Sequence, residues 1–215
     1  MSEIRFWWVR HAPVIGNNGC CYGDNDVDCD VSDTDSYKIL SDILPKNAYV
    51  YSSHLTRTIK TMDATIKEGF KYKDYSIDKN FGEQNLGEWQ GLKYEKLEET
   101  TKELNVFHPT WLCDPKYTPP GGESYNNLYN RVITGIENIM DTRKEGDIVI
   151  FSHGGPIKAA IAHSIGAEPN YTLPFWIDNL AVSRFDFLDG ICRVRFINLL
   201  PKIIYNSKNI YERFV

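Results

Sequence analysis

The sequence predicts an α/β fold in three layers, α/β/α, around a mainly parallel sheet with a C-terminal hairpin. Three observations predict it. Short apolar runs alternate with segments whose apolar residues recur at helical spacing, the pattern of βα units. Residues 6–9 and 148–151 are continuously apolar, as strands are when both faces of a parallel sheet are covered. Residues 180–187 and 191–199 alternate apolar and polar residues around Asp189-Gly190, a two-residue hairpin signal.

The elements follow in chain order. The first strand spans residues 4–10 and stops at Arg10-His11, and Gly16-Asn17-Asn18-Gly19 soon after cannot continue it. Residues 24–35 carry Asp24, Asp26, Asp28, Asp30, Asp33 and Asp35. This is not a calcium loop: Cys29 stands where the sharp-turn glycine belongs, and no glutamate closes it. A solvated loop feeding a helix N-terminus suits the aspartates better. That helix is expected over residues 32–44, with Tyr37, Leu40, Ile43 and Leu44 inside and Pro45 ending it. A strand at 48–51 ends at Ser52-Ser53. Ser53 is expected to cap a helix bearing Leu55, Ile59, Met62 and Ile66, with Arg57 in its first turn.

A third strand is expected near 75–77. Residues 81–91 have loop composition, with glycines among aromatics and carboxylates. Residues 92–104 look helical. Residues 106–120 hold His108, Trp111 and the prolines 109, 115, 119 and 120, which suggests a lid-like insertion at about 105–122. Gly121-Gly122-Glu123-Ser124 opens a helix with Leu128, Val132, Ile136 and Ile139 at helical spacing. The strand at 148–151 ends at Ser152-His153-Gly154-Gly155, and Pro156 fits the first position of a helix over 157–165. No repeat or low-complexity segment interrupts the 215 residues, so one domain over 1–215 is expected.

Composition narrows the function. A net charge of −5 leaves no electrostatic footprint for nucleic acid or an anionic membrane surface. No apolar run has membrane-spanning length. The N-terminal apolar stretch, broken by Glu3 and Arg5, is too short for a secretory leader. The cysteines number five, an odd count without paired spacing. A cytoplasmic protein is expected, with a small metabolite as partner and, if it assembles, a homodimer.

In such a sheet the C-terminal strand ends share one edge, where ligands bind. Arg10, His11, Arg57 and His153 all fall at strand ends, and two helix N-termini point at the same rim. That is the inventory of a phosphate site. A metal is not expected, because the histidines lack ligand partners at local spacing and the arginines would repel a cation. Ser152 lacks the preceding glycine of a nucleophile elbow. His54 is expected at the surface, His163 in helix packing and His108 on the lid.

The motifs resemble the histidine phosphatase superfamily, the phosphoglycerate-mutase-like branch 1. Val9-Arg10-His11 is similar to its Arg-His-Gly signature, with Asn17 at the asparagine offset and Ala12 replacing the glycine. The run from Ser52-Ser53 through Leu55 and Arg57 to Thr61 resembles its Ser-Ser-x-Leu-x-Arg-x-x-x-Thr motif. The run from Glu83 to Gly91 resembles its glutamate loop, with Gln90 for a common glutamate. Pro120-Gly121-Gly122-Glu123-Ser124 and Ser152-His153-Gly154-Gly155 complete the set. Within the family the chain looks most like the compact alpha-ribazole phosphatase-like proteins.

The resemblance implies a phosphomonoesterase working through a phosphohistidine, with neither metal nor other cofactor. His11 would be the nucleophile and Glu83 the acid and base. Arg10, Asn17, Arg57, His153 and Gly154 would hold the phosphate. The alternatives are a cofactor-dependent phosphoglycerate mutase and a non-catalytic phospho-ligand-binding module.

Overall fold

The computed structural model describes residues 3–205, so residues 1–2 and 206–215 of the expected domain lie outside the description. Six strands form one sheet in the order β3-β2-β4-β1-β5-β6. They are β1 (Glu3–Arg10), β2 (Ala48–Ser52), β3 (Tyr72–Ile77), β4 (Gly146–Ser152), β5 (Val182–Leu188) and β6 (Ile191–Leu199). The first four are mutually parallel, and β5 and β6 add the antiparallel hairpin. Its turn uses Asp189 at φ 49° and Gly190 at φ 81°, the left-handed pair a tight hairpin requires.

Period-two geometry explains the apolar runs. On β1, Ile4, Phe6 and Trp8 face one core with α4 (Tyr125–Thr142) and α5 (Gly154–Ile165). Trp7 and Val9 face the other, with α1 (Thr34–Ile43) and α2 (Thr56–Lys67). A strand buried on both faces cannot alternate with polar residues, and the three-layer class follows. A third cluster, including Cys21, Leu86, Trp89, Leu97 and Cys113, joins the glutamate loop to α3 (Tyr94–Glu103) and the irregular segment after it. A short helix, α6 (Pro201–Tyr205), follows β6. No helix among the described residues is long and apolar enough to cross a membrane.

Some boundaries differ from expectation for physical reasons. Helix α1 begins at Thr34 because Asp33 is its cap, accepting from Ser36 N. Ser53 does not cap α2. It is buried, and the helix starts three residues later behind Leu55, which has no capping side chain. Asp26 supplies the missing acceptor from the aspartate-rich loop, taking Thr56 N and Thr56 Oγ1 at 2.7 Å each. Helix α5 begins at Gly154, which makes Pro156 its third residue. There a missing N–H is still harmless, because the first turn's donors have no intrahelical acceptor.

Candidate active site

The sheet register assembles the site. Strand β4 lies between β2 and β1, with Arg10 opposite Ser152 and Ser52 opposite Phe151. Beyond the strand ends the pairing continues: His11 N donates to Ser152 O and Ser53 N to Phe151 O, each at 3.0 Å. Arg10-His11, Ser52-Ser53 and Ser152-His153 therefore share one rim, and Arg57 joins them from the first turn of α2.

His11 is buried, and its Nδ1 lies 2.6 Å from Ala12 O. A carbonyl can only accept, so Nδ1 carries the proton and Nε2 carries the lone pair. Nε2 and Arg10 Nε are the two buried side-chain polar atoms without a protein partner among the described residues. Burial, reinforced by the charges of Arg10 and Arg57, holds the His11 pKa well below its ordinary value of 6.5. The ring is thus a neutral base with a fixed tautomer. Ala12 fits without strain: its φ is not positive, and its N–H donates to Thr61 Oγ1 at 2.8 Å.

Arg57 is fully buried. Its Nε donates to His153 Nδ1 at 3.1 Å, and its terminal nitrogens donate to Gly23 O at 2.8 Å and Asn25 O at 2.7 Å. Since His153 Nδ1 accepts, its Nε2 is the donor, here to Ser53 Oγ at 2.9 Å. Burial and then the Arg57 charge keep His153 neutral, far below the usual histidine pKa. The sequence has His153 gripping phosphate. In the structure both its nitrogens are engaged, and it would reach a phosphate oxygen only by releasing Ser53.

The loop bearing Glu83 is held from behind. Arg131 donates to the carbonyls of Asn80, Gly82 and Glu83 and pairs with Glu123, whose Oε1 also takes Asn85 N. Gly87, at φ 53°, must be glycine because a Cβ there would lie 2.0 Å from Pro120 O. Gln90 ties this loop to the one that grips Arg57, accepting from Asp24 N and donating to Asn25 Oδ1. A glutamate could not make that donation. The Glu83 carboxylate reaches Gly155 N at 3.4 Å. A Cβ on Gly155 would sit 2.4 Å from its Oε1. One on Gly154 would lie 3.9 Å from both Arg10 Nε and Glu83 Oε2, so both groups border Gly154.

The expected anion-binding helix ends are therefore occupied by the protein's own carboxylates, Asp26 at α2 and Glu83 at α5. Asn17 stands apart. Its carbonyl accepts from Cys20 N, and it is not among the residues lining the adjacent cavity. That cavity, of about 230 Å³, is bordered by Arg10, Tyr22, Glu83, Gly154, Trp111 and Lys158, among others. His11, Arg57 and His153 are buried beside it. His54 is exposed, His163 packs on Phe187, and His108 lines a second cavity rather than this one. Sequence reasoning missed Ser53 as a site partner, Arg131 as the loop clamp, and Lys158. Helical spacing would find Lys158: it lies four residues after Gly154, on the same face.

Arg57→Lys is expected to be far from conservative. A point charge cannot replace a fork that holds His153 and two carbonyls at once. Losing one charged hydrogen bond, about 2 kcal/mol, predicts a fall in kcat/KM on the order of 30-fold with weaker vanadate inhibition. Near-wild-type kinetics would make Arg57 a structural residue only.

Comparison with known proteins accords with this geometry. The family model for the histidine phosphatase superfamily (branch 1) matches residues 6–200. A bifunctional protein of Mycobacterium tuberculosis is 32% identical over 127 residues, which is 58% of this chain but only 34% of that protein. This chain thus spans about a third of that relative's length. Phosphoserine phosphatase 1 of Hydrogenobacter thermophilus is 28% identical over 184 residues, covering 84% of this chain and 85% of that protein. The crystal structure of the alpha-ribazole phosphatase from Shigella flexneri superposes with a TM-score of 0.75 at 22% identity, covering 90% of this chain and 96% of that one. That likeness establishes the shared fold.

Proposed function

The chain belongs to branch 1 of the histidine phosphatase superfamily, and we propose that it is a metal-independent phosphomonoesterase acting through a phosphohistidine on a small phosphorylated metabolite. One observation carries this: His11 Nδ1 is pinned to Ala12 O, leaving a neutral, unpaired Nε2 beside two guanidinium groups. A residue that only bound phosphate would be useful as a donor. A deprotonated, desolvated nitrogen is useful as a nucleophile.

His11 Nε2 attacks phosphorus, and the phosphoryl group leaves its ester oxygen for nitrogen. Arg10 and Arg57 neutralise the transferring oxygens, and His153 orients Arg57 through its Nε. Glu83 delivers a proton to the departing oxygen, then takes one from the water that hydrolyses the phosphohistidine. Charge is balanced by arginine, so a divalent cation has no step to perform.

Hydrolysis of p-nitrophenyl phosphate in excess EDTA tests this. Undiminished turnover is expected. Loss on chelation, restored by a metal, would overturn the mechanism. No turnover at all would favour a binding module. Conversion of 3-phosphoglycerate only when 2,3-bisphosphoglycerate is present would favour the mutase.

A further inference from the structure

We propose that Lys158 reads a second anionic group on the leaving part of the substrate, a specificity that rests on the phosphomonoesterase reading above. The preferred substrates are then phosphomonoesters whose leaving group carries a carboxylate or a second phosphate.

Lys158 lies one turn into α5 from Gly154 and is 9% exposed. It borders both the cavity beside Glu83 and a second one of about 520 Å³. Tyr94, Trp111, Leu112, Phe175 and Trp176 line both cavities as well, so the two form one cleft with Lys158 at the junction. A leaving group that extends from the first cavity into the second would pass it.

The ammonium is poorly compensated there. Nζ donates to Leu173 O at 2.7 Å and stands 4.3 Å from the centre of the Trp111 ring. A carbonyl and an aromatic face satisfy one donor and soften the charge, but neither neutralises it. Lys158 makes no ion pair among the described residues. Glu83 acts on it at a distance, and Glu83 already faces Gly155. Burial pulls the Lys158 pKa down to about 8, with Glu83 opposing and Arg10 adding to the fall. A lysine so placed gains from an anion. Its Nζ partners, Leu173 O and the Trp111 ring, are not shared with Arg10, His11 or Arg57, which points to an anion other than the transferring phosphate.

A purely structural role, tying α5 to the turn at Leu173, is the competing account. That tie already exists in Thr172 Oγ1 donating to Lys158 O at 2.9 Å. It needs no cation.

Two matched pairs separate these accounts: 3-phosphoglycerate against glycerol 3-phosphate, and propane-1,3-diol bisphosphate against 3-hydroxypropyl phosphate. The wild type should prefer the member with the anionic tail in at least one pair, and which pair responds identifies the anion as carboxylate or phosphate. Lys158→Met keeps the aliphatic stem. It should lose at least about tenfold more kcat/KM on the preferred member than on its neutral partner, mainly through KM. Lys158→Arg should restore most of the preference. Equal rates within both wild-type pairs, or equal losses within both pairs in Lys158→Met, would overturn the proposal. If the wild type hydrolyses none of these esters nor p-nitrophenyl phosphate, the phosphomonoesterase reading has failed. Calorimetric binding of the same four compounds to wild type and Lys158→Met then still decides whether Lys158 selects the second anion.

Discussion

His11→Ala is expected to lower turnover by roughly 10⁴-fold or more, since a reaction split into two steps cannot proceed when its nucleophile is gone. The fold should survive, because His11 lies just past the end of β1 and its side chain bonds only to the neighbouring Ala12 O. In the wild type, a phosphoryl group trapped during turnover should be acid-labile, base-stable and located on His11. Phosphate on Ser53 or Ser152 would sink the mechanism.

The buried state of His11 also predicts a pH signature. Its pKa, and that of His153, is held well below 6.5 in the folded protein, first by burial and then by neighbouring arginines. In the unfolded chain both take up protons near 6.5. Below that pH the unfolded state binds more protons, so stability is fully present above about 6.5 and declines as pH falls toward the folded values. His11→Ala removes one of the two groups. Its denaturation free energy should therefore fall less steeply than the wild type's between neutral pH and pH 5. For the same reason an acid limb of kcat/KM belonging to His11 should lie below 6.5. A limb at or above 6.5 would mean that the imidazole is solvated in the working enzyme.

Much of this site was legible because its residues sit where short-range rules apply. Arg10-His11 and Ser152-His153 end continuous apolar runs, and a parallel sheet must bring such ends to one edge. Ser53 shows the limit. Its sequence position is that of a helix cap, but β2 places it under His153, and the capping duty passes to Asp26, 30 residues before Thr56 in the chain. Propensity carries no information about that exchange, because it depends on how a loop folds back across α2. What occupies the helix N-termini is illegible for a similar reason. Charge patterning marks the aspartates as dipole partners without saying which helix each will serve. Arg131 sits on a helix whose apolar periodicity is satisfied without it, so the pattern reads it as solvated, whereas Lys158 stands out as the one lysine on a helix that is buried nearly all round. Only the packed loops around Asn80–Glu83 and Leu173 give them buried acceptors.

Glu83→Gln should separate a proton donor from a packing residue. A general acid matters in proportion to how badly the leaving oxygen needs a proton. An alkoxide leaves poorly, whereas p-nitrophenolate leaves readily. The variant should lose on the order of 10²–10⁴-fold on an alkyl phosphate and much less on p-nitrophenyl phosphate. Glutamine keeps the size, and its carbonyl can still accept from Gln84 N, the closer contact at 3.0 Å. The amide nitrogen cannot accept from Gly155 N, so the variant gives up only that weaker 3.4 Å contact, and vanadate affinity should fall far less than turnover on the alkyl phosphate. The contrast holds while phosphoryl transfer to His11 limits the rate. A pre-steady-state burst would show instead that dephosphorylation limits, where Glu83 acts as base and both substrates suffer alike. Equal losses without a burst would mean that Glu83 positions the site and does not donate. No other carboxylate of the loop could then be credited with the proton: Glu88 is exposed on its turn, and Glu123 is held by Arg131. Proton transfer would have to come through solvent, and the leaving-group dependence of kcat would be as steep in the wild type as in the variant.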